Sequence, residues 1–232
     1  MDNEEKLKHI VELNKKYRAN NCNGIISNGS NFKIIHGKLP ILLSAPHAVR
    51  QNRNGEVKGA DTLTGPIVEF LCERTDTNGI IRTFNLQDDP NSQNMGNGLE
   101  YKKAILELIR QKNILCMFDF HGCNDSHPFD IDIGTNNGIN INVADDFLNI
   151  IYKRLSTISS STIDKKFKAS QNTTVCNYIS RKSNISCFQI ELCTSLRKNP
   201  DNLLQLLDSF EIIIEELSRQ INLKRNDAEI EI

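Results

Sequence analysis

Short apolar runs, each stopping at a polar motif and separated by segments of helical periodicity, constrain this chain more than any other feature. Ile41-Leu42-Leu43 runs into Ser44-Ala45-Pro46-His47, and Ile114 to Phe118 into Asp119-Phe120-His121-Gly122. Cys187-Phe188-Gln189-Ile190 ends at Glu191. Runs this short and apolar suit strands buried on both faces, and their alternation with helical patterns implies a sheet with helices on both sides. The expectation is one three-layer α/β/α domain spanning residues 1–232.

The helical segments read as follows. Residues 4–18 place Leu7, Ile10, Val11 and Leu13 at roughly helical spacing, and with the Asn-rich stretch to residue 24 form a helix and loop. Asp61 is expected to N-cap a helix over 62–74. Further helices are expected at 99–111, 143–155, 173–182 and 201–223, with 224–232 a frayed tail. Strands are expected at 31–35, 39–44, 79–84, 114–120, 129–133 and 186–192, the first two pairing as a hairpin. Residues 49–59 and 85–98 read as long polar loops, a length that is unusual unless functional.

Acidic and basic residues nearly cancel, 29 against 28, so no global field favours nucleic acid. No apolar run approaches the roughly 20 residues that span a bilayer. The charged start, Met1 to Lys6, lacks a signal-peptide pattern, and a cytoplasmic location is expected. Seven cysteines form no C-x-x-C pair. Cys116 and Cys187 fall in apolar runs, whereas Cys123 and Cys193 fall near the polar motifs, where one could be a ligand or a reactive thiol, although a reduced structural thiol is the expectation.

In α/β proteins, residues just past the carboxyl ends of strands line the ligand crevice. His47 and His121 both occupy such positions, and two imidazoles delivered to one crevice suit a metal-dependent hydrolase. A catalytic zinc needs a third protein ligand. Asp61, Glu69 and Asp119 are the candidates, with Asp119 also placed to orient His121 from two residues back on the same strand face. Glu69, two turns into its helix, reads as a surface residue. Glu191 interrupts an apolar strand, and a buried glutamate there suits a general base for a metal-activated water. Arg50, Arg82 and Arg197 flank the motifs and could clamp a carboxylate or oxyanion. Asp88-Asp89-Pro90-Asn91 reads as a turn that could equally supply polar contacts to substrate, Asn91 among them.

These motifs, in this order, resemble those of the N-formylglutamate amidohydrolase family. Pro46-His47, Asp61 opening a helix, Asp119-Phe120-His121-Gly122, Gly134-Thr135 with Gly138, and Gln189-Ile190-Glu191 carry the resemblance, which extends from about residue 39 to 197. It implies a mixed central sheet of the phosphorylase/hydrolase-like kind, related to zinc carboxypeptidases and aspartoacylases. It implies one zinc on His47, Asp61 and His121, with Glu191 as base and Gly134 and Thr135 near the acyl group. Asp89-Pro90-Asn91 is followed by Ser92 where the family carries an arginine, so a substrate other than N-formylglutamate itself is expected.

The resulting expectation is hydrolysis of the amide of an N-acyl amino acid or small acidic peptide. Arg50 or Arg82 would stabilise the oxyanion, and Arg197 would hold a substrate carboxylate. Two alternatives are a metallopeptidase acting on γ-glutamyl or peptide bonds and a non-catalytic protein binding an acidic ligand.

Overall fold

In the computed structural model, residues 1–26, 29–93, 95–141 and 146–230 are described, with side chains as far as residue 223. The helices are Asn3–Cys22 (α1), Thr64–Thr75 (α2), Gly96–Lys112 (α3), Phe147–Leu155 (α4), Val175–Ser183 (α5), Thr194–Lys198 (α6) and Pro200–Ile230 (α7). The strands are Phe32–Ile35 (β1), Ile41–Ala45 (β2), Gln51–Arg53 (β3), Glu56–Lys58 (β4), Asn78–Arg82 (β5), Cys116–Cys123 (β6), Ile131–Gly134 (β7), Ser161–Ile163 (β8) and Ser186–Cys193 (β9).

Seven strands form one mixed sheet in the order β1-β5-β2-β6-β9-β7-β8. β5, β2, β6 and β9 run parallel, while β1 and β7 pair antiparallel to β5 and β9. Every residue of β2, β5 and β9 is buried, as strands covered on both faces require. One face packs Ile67, Phe70, Phe118, Phe188, Phe210 and Leu217. The other packs Tyr101, Ile105, Met117 and Ile179. Helices therefore cover both faces, giving the three layers that the sequence implied.

The chain leaves β2 through α2 to β5 on one side, then crosses back from β5 through α3 to β6 on the other. Connections diverging on either side of β2 open a crevice at the strands' carboxyl ends. His47 lies two residues past β2, and His121 lies in the last turn of the β6 ladder before Cys123.

Several elements differ from the sequence reading. Residues 31–44 are not a hairpin, because β5 inserts between β1 and β2. The loop read at 49–59 contains a β3–β4 hairpin turning on Asn54 and Gly55, both left-handed at φ 54° and 81°. That is the two-residue turn geometry that Asn-Gly favours. Asp61 does not cap α2. The cap position is Leu63, at φ 74° with no side-chain bond, which frees the Asp61 carboxylate. α7 continues as helix to Ile230 instead of fraying at 224, and residues 231–232 lie outside the described residues. The start expected for α4 at Val143 likewise falls among residues 142–145, outside them, and α4 begins at Phe147. β8 had no counterpart in the sequence reading.

Candidate metal centre and active site

Three donor atoms converge at the crevice: His47 Nδ1, His121 Nδ1 and Asp61 Oδ2. The two nitrogens are 3.2 Å apart, and Asp61 Oδ2 lies 3.3 Å and 3.5 Å from them. No other trio of His, Cys, Asp or Glu among the described residues offers so tight a cluster. The backbone explains the convergence. The Asp61 amide donates to the His47 carbonyl at 2.8 Å, folding the intervening hairpin back on itself. Arg197, buried under Gly122, donates from Nη1 to the Thr62 carbonyl and from Nη2 to the Cys123 carbonyl, joining the Asp61 segment to β6.

Carboxylates hold the far side of each imidazole. His47 Nε2 donates to Asp89 Oδ1 at 2.8 Å, and His121 Nε2 donates to Asp119 Oδ2 at 3.1 Å. Those bonds place the proton on Nε2 and aim each Nδ1 lone pair at the other and at the Asp61 carboxylate. Such a meeting of lone pairs is repulsive unless a cation or proton lies between them. Tetrahedral zinc with bonds of about 2.0–2.2 Å requires donor separations of about 3.3 Å, so the trio fits a zinc-sized ion. Carboxylates on the outer ring nitrogens are the usual support of such ligands.

Without an ion, the charges of the site favour a proton between these nitrogens instead. Burial works against the His47 and His121 imidazolium forms, but Asp89 and Asp119 respectively, with Asp61, hold both pKa values above the ordinary range. Burial also opposes the Asp61 carboxylate, yet the two imidazoles keep it well below the usual range. Asp89 behaves likewise under His47 and Arg53.

Glu191 is the cross-strand neighbour of His121 on β9 and lines the same pocket of about 500 Å³. Burial pushes its carboxyl up to about 7. Gln189 Nε2 donates to Glu191 Oε1 at 2.9 Å, and no arginine pairs with Glu191 among the described residues. Three buried oxygens at the site, Gln51 Oε1, Asp119 Oδ1 and Gln189 Oε1, lack hydrogen-bond partners. Orphaned polar atoms gathered at one crevice suit a site built for a ligand.

The other residues singled out in the sequence divide sharply. Asn91 lines the pocket, and its Oδ1 also accepts from the Val175 amide at 2.8 Å. Glu69 is not on the surface: it is fully buried between Lys16, Lys33 and Tyr17, joining α2 to α1 and leaving the metal-ligand contest to Asp61. Arg82 is buried against Asp88 and the Phe84 carbonyl, Arg197 is spent on backbone carbonyls, and Arg50 is not among the pocket's lining residues. The arginine that does line the pocket is Arg53, its Nε 2.7 Å from Asp89 Oδ2. Gly134 and Thr135 pack against residues 164–169 and are not among the lining residues. Two residues of the crevice were not singled out from the sequence for the contacts they make. Asp89 hid in a turn-forming composition, and Arg53 in a segment whose Asn-Gly signal was read as loop.

The fold is shared with solved structures. An N-formylglutamate amidohydrolase from Ralstonia eutropha JMP134 superposes with a TM-score of 0.66 at 13% identity, covering 84% of this chain and 99% of that one. This chain has the N-formylglutamate amidohydrolase fold. A gene product from Agrobacterium tumefaciens matches at 0.63 and 11% identity, over 83% of this chain and 95% of the other. A bacteriophage poly-gamma-glutamate hydrolase matches at 0.52 and 15% identity, over 83% and 92%. No protein-family profile and no curated protein sequence matches the chain.

Proposed function

We propose that this protein is a zinc-dependent amidohydrolase that cleaves the amide of an N-acyl amino acid or small acidic peptide. The observation that carries the reading is the convergence of His47 Nδ1, Asp61 Oδ2 and His121 Nδ1 within 4.8 Å of one another, with Glu191 beside them. The hydrolase fold shared with an N-formylglutamate amidohydrolase supports it. His47, Asp61 and His121 would hold the ion. When bound, zinc supplies the Lewis acidity that makes water a nucleophile near neutral pH and polarises a carbonyl.

The chain's own residues do the rest. Asp89 and Asp119 hold the imidazoles so that both Nδ1 atoms point toward Asp61 Oδ2, where an ion would be held. Glu191 accepts the water proton on a carboxylate oxygen and returns it to the departing amine nitrogen, a shuttle suited to a carboxyl that titrates near neutrality. Arg53, whose Nε stays on Asp89, lines the pocket and would meet negative charge developing on the carbonyl oxygen, in place of Arg50 or Arg82. Asn91 lines the substrate side of the pocket. Arg197 acts through Thr62 and Cys123, holding Asp61 and β6 together.

The test is turnover of N-formyl-, N-acetyl- and γ-glutamyl-linked acidic amino acids by zinc-loaded protein. Hydrolysis of at least one N-acyl substrate, abolished in His121→Ala, is expected. Cleavage of γ-glutamyl bonds alone would favour a peptidase, and no cleavage of any of them would leave an acidic-ligand-binding protein.

A further inference from the structure

The segment from residue 164 to 169, between β8 and α5, has more anchors than a surface loop needs. Asp132 on β7 is fully buried and sits beside Glu191 in the sheet register. Its carboxylate accepts from the Thr162 hydroxyl at 2.8 Å and from three successive amides, those of Lys165, Lys166 and Phe167, at 3.1, 2.8 and 2.8 Å. Asp164, in turn, accepts from the Thr135 and Asn137 amides at 2.8 and 3.0 Å. The Lys168 carbonyl takes the Asn136 amide at 2.7 Å, and the Ala169 carbonyl takes Asn140 Nδ2 at 3.1 Å.

The Phe167 carbonyl lies 2.1 Å from where a Cβ on Gly134 would be, so only glycine admits it. The Phe167 ring meets His127 edge-on at 5.2 Å. Two non-glycine residues, Asp164 and Ala169, hold left-handed backbone at φ 52°. Such strain persists only where the surroundings over-determine it, and it gathers at functional sites. Ion ligation uses none of these groups.

What the segment presents to the pocket is cationic. Lys166, Phe167 and Lys168 line it, and both lysines are exposed to solvent. The floor below them carries Asp61 and Glu191. A wall of opposite charge at the mouth of an acidic floor separates the acidic part of a ligand from the catalytic carboxylates.

We propose that residues 164–169, fixed by the positioning residue Asp132, form a rigid specificity wall that reads the acidic part of the substrate through Lys166 and Lys168. The choice of substrate class rests on the amidohydrolase reading, whereas the rigidity of the wall does not. The Gly134-Thr135 motif then serves as the bed of this wall.

Two measurements test this. Hydrogen exchange of the metal-free protein reads the wall directly. In Asp132→Asn the amides of Lys165, Lys166 and Phe167 should exchange at least about tenfold faster, with α2 and α3 unchanged. Equal protection in variant and parent, or loss of protection throughout the molecule, overturns Asp132 as the local anchor. The second uses the double variant Lys166→Ala/Lys168→Ala, whose exposed positions spare the fold. Its kcat/KM ratio for N-acetyl-glutamate over N-acetyl-glutamine should fall about tenfold, mostly through KM. If the parent turns over neither compound, equilibrium dialysis of N-acetyl-glutamate reads the wall instead, and the amidohydrolase reading fails only if the N-formyl substrates are not cleaved either. A ratio, or an affinity, unchanged by removing both lysines overturns the wall as a specificity element.

Discussion

Replacing Glu191 by Gln should make the metal-free protein more stable while abolishing turnover of the loaded one. Glu191 is 6% exposed, and burial holds its carboxyl at about 7 against an ordinary value of 4.5. Below pH 4.5 both the folded and unfolded forms are protonated and nothing is lost. Between 4.5 and 7 the unfolded chain ionises first, so stability falls as pH rises. Above 7 the ionised fold carries the full cost, about 3 kcal/mol. Glutamine keeps the shape and, with its Oε1 still accepting from Gln189 Nε2, the contact, without the charge. For a chain of this length the gain corresponds to about 6–12 °C in Tm at pH 8, shrinking toward zero at pH 4.5. The assay is thermal unfolding of metal-free parent and Glu191→Gln at both pH values, alongside kcat of the zinc-loaded forms. The expected loss in kcat is about 10²- to 10⁴-fold. A variant that is destabilised equally at both pH values, or that retains turnover, would refute a desolvated general base at this position.

Asp119→Asn should weaken zinc binding about 10- to 100-fold with little change in the fold, because it loosens His121 without removing a ligand. Competition with a chelator of known affinity measures it, and unchanged affinity would show that Asp119 does not orient the imidazole. Arg197→Met should cost about 2–4 kcal/mol, since the Leu192, Thr62 and Cys123 carbonyls lose their donor together. Denaturant unfolding checks the value. A loss confined to KM with stability intact would make Arg197 a substrate ligand instead.

The parts of the site on strands were legible because a strand fixes its side chains by a simple rule. Asp119 and His121 stand two apart on β6 and so share a face, and they meet at 3.1 Å. Glu191 was conspicuous as a carboxylate in an apolar run. Parts carried by connecting segments were not legible. The arginine that reaches the pocket is Arg53, because the Asn54-Gly55 turn folds it over Asp89, a pairing 36 residues distant in sequence. Arg82 and Arg197 looked equally suited to a substrate, but Asp88 and the backbone carbonyls claim them. Glu69 looked exposed by its helical position, yet α1 brings Lys16 and Tyr17 onto it from 52–53 residues away. The apparent hairpin at 31–44 failed because pairing depends on where β5 inserts, which local sequence does not encode.

Elemental analysis of protein dialysed against zinc and then freed of excess should find one zinc per chain in the parent and in Glu191→Gln, and none in His47→Ala or His121→Ala. No uptake by the parent, or full uptake by both histidine variants, would contradict a metal centre at His47, Asp61 and His121.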